Sequence, residues 1–293
     1  MPSSRVKTLI IVVLWLLIGP GLAGCSALRL GYGNGPQLAW WWLDGYVDFA
    51  SEQAPAAKKA IDRWFDWHRS TQLPEYAATL ASLQAQVVEP TTPALACAWQ
   101  DRLRSRLDPA IDRAISEFAD LLPGLGEAQF KHLEQRYAKG NAEMRDDFLQ
   151  PDAAERLKES VKRTVKRAEQ LYGSLDDTQL KLIQAGVAAS PFSPDLWLAE
   201  RQRRQRDTLQ TLRRLVADKA DRDTRLAALR ALAARTERSP HAEYRAYQVK
   251  LADYNCGLAA QIHNTTAATQ RQKARDTLKG LEDDLRSLIP AAG

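Results

Sequence analysis

Tyr244, Tyr247, Leu251, Tyr254, Leu258 and Ile262 recur at steps of three and four. That spacing stacks side chains on one face of an α-helix and gives a single apolar stripe. Trp99, Leu103, Leu107, Ile111 and Phe118 repeat the pattern downstream of Pro93. Beyond residue 50 no run of alternating β-branched residues appears and glycine is scarce, so strands have no pattern to form on. The chain is therefore expected to be all-α, a bundle or stacked helical hairpins of about nine to ten helices. Helices are expected over 54–88 with a break at Pro74, 93–122 with a bend at Pro109, 127–149 and 152–172. The series continues over 177–189, 194–217, 222–235, 240–263 and 267–289. Thr92-Pro93, Ser193-Pro194 and Ser239-Pro240 each read as a cap followed by proline at the first helical position.

The start of the chain obeys other rules. Arg5 and Lys7 precede ten uninterrupted apolar residues, Leu9 to Ile18, and Gly19-Pro20-Gly21 breaks whatever helix they form. Ten residues make about 15 Å of helix, half of a bilayer core, so a removed signal fits better than a transmembrane span. Leu22-Ala23-Gly24-Cys25 resembles the bacterial lipobox, which implies cleavage before Cys25 and acylation of its thiol. Residues 1–24 are thus expected to be a lipoprotein signal peptide. Residues 25–37, with Gly31, Gly33 and Gly35, read as a lipidated cysteine and flexible tether. The helical domain is expected over 38–290. It opens on Trp40-Trp41-Trp42, which sweep about 200° of a helix and cannot all enter one core. Either one or two are core and the third packs on a neighbour, or the cluster sits in the membrane interface that Trp and Tyr favour.

Net charge is +5, and loss of Arg5 and Lys7 leaves 39 basic against 36 acidic side chains. Such a mixed surface lacks the concentrated patch of a nucleic-acid binder. With Cys25 assigned to lipid, Cys97 and Cys256 remain as an even pair in an oxidising compartment. A disulfide is expected between them, in preference to two free thiols or a reactive one. Each lies about 120° or more round its helix from the main stripe, which suits a bridge between secondary faces.

A loose repeat marks helix beginnings: Phe49 to Gln53, Leu125 to Gln129 and Leu175 to Gln179 each place an apolar residue four before a glutamine. This is capping-box grammar, with the glutamine reaching back. It also resembles the LTxxQ element of small periplasmic stress chaperones, which are cradles of helical hairpins. The densest charge run is Glu200-Arg201-Gln202-Arg203-Arg204-Gln205-Arg206-Asp207. No apolar residue interrupts it between Ala199 and Leu209, so the core stripe must pass through Arg201 or Gln202 and Gln205. The run reads as a solvated helix with local ion pairs, a buried polar network or an anion site, and a structural role is expected over a catalytic one. Candidate partners for Arg201, Arg204 and Gln205 are Asn141, Glu143, Asp146 and Asp147, with Asn255, His263 and Asn264 elsewhere.

No catalytic constellation is legible. His68, His132, His241 and His263 lack a second ligand at helical spacing, so neither a metal nor a cofactor is expected. Neither a phosphate loop nor Gly-x-Ser-x-Gly occurs. The chain as a whole resembles a family of proteobacterial lipoproteins known only as a domain of unknown function. The residues that carry this are Cys25 to Leu30, Trp41-Trp42-Leu43-Asp44, Trp67-His68-Arg69 and Arg136-Tyr137 with Asn141-Ala142-Glu143. Glu200 to Asp207 and Tyr254-Asn255-Cys256 with His263-Asn264 complete the set. The resemblance implies an all-helical fold and an envelope location, and no reaction. The expected function is a non-enzymatic, lipid-anchored envelope protein that binds another envelope protein. A helical-cradle chaperone and a hydrolase or glycan-processing accessory using Arg201–Asp207 are the alternatives. Ser26 after the lipid cysteine points to the outer membrane, facing the periplasm.

Overall fold

A computed structural model describes residues 25–290, with side chains from Leu28 onward. The export signal expected over residues 1–24 lies outside them, and so does the acylation expected at the Cys25 side chain. The described chain is helical with short connections and no strand. In order the helices are α1 Cys25–Gly33, α2 Gly35–Val47, α3 Ala54–Trp67, α4 Leu73–Gln86, α5 Pro93–Ser105, α6 Asp108–Leu121 and α7 Glu127–Phe148. The return series is α8 Ala153–Tyr172, α9 Asp177–Ala188, α10 Pro194–Ala217, α11 Arg222–Glu237, α12 Ala242–Asn264 and α13 Ala268–Leu288.

Proline sets the breaks where expected. Pro74 opens α4 behind a π-type turn at His68–Gln72, and Pro109 opens α6. Side-chain caps fix several starts: Thr92 accepts from the Leu95 amide at 3.2 Å, Ser193 from Leu196 at 3.3 Å and Asp221 from Thr224 at 2.8 Å. Ser239 does not cap as expected. It is fully buried, accepts from the His241 amide at 3.3 Å, and α12 begins at Ala242.

The helices pair in a nested order. α8 lies on α9, α7 on α10, α6 on α11, α5 on α12 and α4 on α13. Cross-links confirm that the pairs run antiparallel: Asp120–Arg222 and Asp112–Arg230 join α6 to α11, Glu134–Arg213 and Asn141–Gln205 join α7 to α10. The chain is thus one long hairpin of helices, doubled at the loop around Gly173, whose φ of 79° suits glycine. Three apolar clusters sit along it. One gathers Leu122, Phe130, Leu212 and Leu229 between the middle rungs. A second joins Leu28, Tyr32, Phe65, Leu73 and Leu285, and a third joins Val87, Ala274 and Leu278.

The expected tether is a correction: residues 25–33 are helical and bound to the body. Leu28 and Tyr32 are buried in the second cluster, and Arg29 pairs with Asp284 of α13 at 2.8 Å. Glycine serves close approach here. A Cβ on Gly35 would stand 2.5 Å from the Phe65 ring. The three tryptophans divide as helix geometry demands. Trp40 stacks on Phe49, Trp42 leans on Tyr46, and Trp41 is exposed. The stripe expected over 93–122 is a second correction, because Leu103 and Ile111 are exposed and α5 buries no residue. α5 lies outside the clusters and is held by other means.

Candidate functional site

The arginine run occupies the middle of α10, between buried Leu198 and Leu209. It is not the solvated face that its composition favours. Toward α7, the stripe position Gln205 exchanges two hydrogen bonds with buried Asn141, donating at 3.1 Å and accepting at 2.7 Å. The Arg201 Nε donates to the same Asn141 oxygen at 2.9 Å. Gly140 leaves room for this guanidinium, whose Nη2 would lie 3.2 Å from an added Cβ. Toward α11 and α12, Glu200 is only 4% exposed and accepts both Arg203 nitrogens at 2.8 Å and the Arg204 Nε at 3.0 Å. Asp207 takes Arg235 of α11 in a bidentate pair at 2.9 Å, and Arg203 lies 3.6 Å from it. The Arg204 guanidinium also sits over the Tyr244 ring of α12.

Electrostatics follow from this pairing. Burial pushes the Glu200 carboxyl upward, but hydrogen bonds from Arg203 and Arg204 outweigh it and leave the group below its ordinary value. The Arg235 pair lowers Asp207, and Glu200 raises Arg203. Both carboxylates are therefore ionised at neutral pH and matched by guanidiniums. The arrangement is a clamp joining α10 to α7, α11 and α12.

Of the proposed partners, Asn141 is bonded to both Arg201 and Gln205. Glu143 is half-buried one half-turn further along α7, and Asn255 is exposed on α12. His263 lies far from Arg204. Nineteen residues of α12 separate it from Tyr244, about 28 Å along the axis, so Arg204 and His263 cannot share a pocket. Instead His263 places Nδ1 2.9 Å from the Tyr172 hydroxyl and Nε2 2.7 Å from the Glu89 carbonyl. Burial lowers its pKa. Neighbouring Asn264 clasps Thr91, accepting its amide proton at 2.9 Å and donating to its carbonyl at 2.8 Å. Together they pin the chain just before α5.

Cys97 and Cys256 form a disulfide between α5 and α12, with Cα atoms 5.3 Å apart. Trp99 Nε1 donates to Gln86 at 2.5 Å. A shallow groove beside it is lined by Gln86, Leu95, Ala98, Trp99 and Arg102.

Two further clusters lie outside the clamp. His68 is buried, stacks on Trp64 with ring centroids 4.5 Å apart, and lies 2.7 Å from the Tyr32 hydroxyl. Burial lowers its pKa to about 4. The helix-start glutamines also interlock in twos. Gln129 donates to Gln53 at 2.8 Å, and Gln179 and Gln270 exchange bonds at 2.8 and 2.9 Å. Each also accepts a backbone amide three residues back, at Ala50, Gly126, Asp176 and Ala267. Gln270 went unrecognised because Thr266, not an apolar residue, stands four before it.

Among the described residues, no group of His, Cys, Asp and Glu side chains is placed to hold a metal ion. No helix there is long and apolar enough to cross a membrane. No curated protein and no solved structure matches the chain. A family model does match residues 45–245, covering α2 to α12 in whole or part, the full arginine clamp and the outer face of α5. The chain belongs to that family, DUF6279, a family of unknown function.

Proposed function

We propose that this chain is a lipid-anchored protein of the bacterial envelope, attached through Cys25 at the outer membrane and facing the periplasm. It acts by binding another envelope protein and catalyses no reaction. The Leu22-Ala23-Gly24-Cys25 sequence supports the anchor. The observation that carries the binding role is α5. This helix buries no residue, yet a disulfide, a tryptophan–glutamine bond and the Asn264 clasp hold it in place. Leu95 and Leu103 remain 48% and 42% exposed on it. A helix that adds little to the core but is covalently fixed is suited to presenting a surface. The arginine run supports a non-catalytic reading, since Glu200 and Asp207 are saturated by guanidiniums.

The test is in vivo crosslinking of the full-length protein, followed by co-purification. Leu95→Asp with Leu103→Asp should remove a specific crosslinked partner while the melting temperature stays within about 2 °C of the parent. An unchanged crosslinking pattern would overturn the α5 assignment. The four glutamine-capped helix starts favour a second reading, the helical-cradle chaperone. That reading requires suppression of aggregation of unrelated unfolded clients, whereas a dedicated binding protein leaves them unprotected.

A further inference from the structure

We infer that the outer face of α1 and α2 lies on the phospholipid surface, so that the bundle rests against the membrane in one orientation. The inference rests on the anchor at Cys25 proposed above. α1 and α2 meet at Asn34, whose φ of −93° and ψ of 7° leave the helical region, and two bonds tie the junction, Asn34 N to the Leu30 carbonyl at 3.2 Å and Leu38 N to the Asn34 carbonyl at 3.0 Å. Leu30 and Trp41 are eleven apart, and they are 65% and 62% exposed. Gly33, Asn34 and Gln37 between them are exposed as well. From Leu30 to Leu43 no side chain carries a charge.

The opposite face of the same ridge is fixed. Tyr32 and Gly35 are buried, and Arg29 is paired with Asp284. The helix begins at Cys25 itself. The lipid-bearing residue therefore stands about one and a half turns from exposed Leu30, with no slack between them. An acyl chain inserted in the bilayer brings the ridge to the headgroup level, where tryptophan and leucine are favoured and uncharged polar groups are tolerated.

The experiment uses full-length lipidated protein reconstituted into phosphatidylethanolamine–phosphatidylglycerol vesicles. An environment-sensitive fluorophore is placed at Leu30→Cys, Trp41→Cys or, as a remote control, Val249→Cys, which is also exposed. Spin-labelled lipid should quench the probes at positions 30 and 41 at least threefold more than the probe at 249. Raising salt should leave the difference intact, because no charge drives the contact. Probes at 30 and 41 that are as open to aqueous iodide as the control, on protein whose N-terminal peptide carries the acyl mass, would overturn the ridge alone. An N-terminal peptide without acyl mass would overturn the anchor reading and this one with it.

Discussion

Arg203→Ala removes one of the two guanidiniums on buried Glu200 and leaves that carboxylate undercompensated. A loss of about 3 kcal/mol is expected from urea unfolding, against about 0.5 kcal/mol or less for exposed Arg206→Ala on the same helix. Equal effects would mean that the clamp is a surface feature after all. Glu200 is depressed below the usual carboxylate range, so its contribution is fully present above that range and is lost as pH falls below it, through the lowered value. His68 acts in a different window. Its folded pKa of about 4 lies below the ordinary 6.5, so the unfolded chain binds the proton first. Stability should therefore fall by roughly 3 kcal/mol between pH 6.5 and 4 on its account. His68→Phe should flatten most of that slope in a pH series of melting curves, with His263 leaving a smaller residue of the same sign. A slope unchanged by the substitution would count against burial of the neutral ring. Composition could not reveal the environment of the clamp. The arginines look solvated because their carboxylates lie three and four residues away on one helix, and nothing local says that Glu200 turns inward.

Helix boundaries, by contrast, were written plainly. Pro74 and Pro109 end one helix and begin the next where the missing amide and fixed φ require it. The span 194–217 agrees to the residue, with Ser193 capping as expected. α1 was illegible for the opposite reason. Gly31, Gly33 and Gly35 read as slack, whereas Gly35 is small because the Phe65 ring occupies the space beside it. Gly35→Ala should accordingly destabilise the protein by about 1–3 kcal/mol and raise amide exchange in α1 before other helices. The glutamine starts were seen as capping boxes, but their pairing was not, because no local pattern says which two will meet. Gln53→Ala and Gln129→Ala should each cost about 1 kcal/mol and show a coupling of 0.5 kcal/mol or more in a double-mutant cycle. Strict additivity would show that each glutamine serves its own helix only.

At the scale of the whole molecule, the all-helical class was readable and the order of pairing was not. Short loops announce antiparallel neighbours. Here, though, the successive helices α5 and α6 part company, and each joins a helix from the far limb. The disulfide is one rung of that nest, 159 positions apart in sequence. Loop closure of that length contributes on the order of 5 kcal/mol in the chain-entropy model. Cys97→Ser with Cys256→Ser should lower the unfolding free energy by several kcal/mol. Because α5 buries nothing, its amides should exchange first in the reduced protein. Uniform exchange across all rungs would argue that α5 is held by more than the bridge and its polar clasps.

The position of that rung also decides how the molecule carries load. A pull between residue 25 and the far end of α13 falls first on the contacts of α1 and then α4 with α13. Those helices can be peeled apart in sequence, like the teeth of a zip. The opening stops at Cys97 and Cys256, because tension then passes through the sulfur–sulfur bond and bypasses the loop. The oxidised chain can pay out only residues 25–97 and 256–290, at most about 3.6 Å for each. The arginine clamp and the three inner rungs of the bundle stay slack and folded behind a covalent stop, and reduction alone puts them under force.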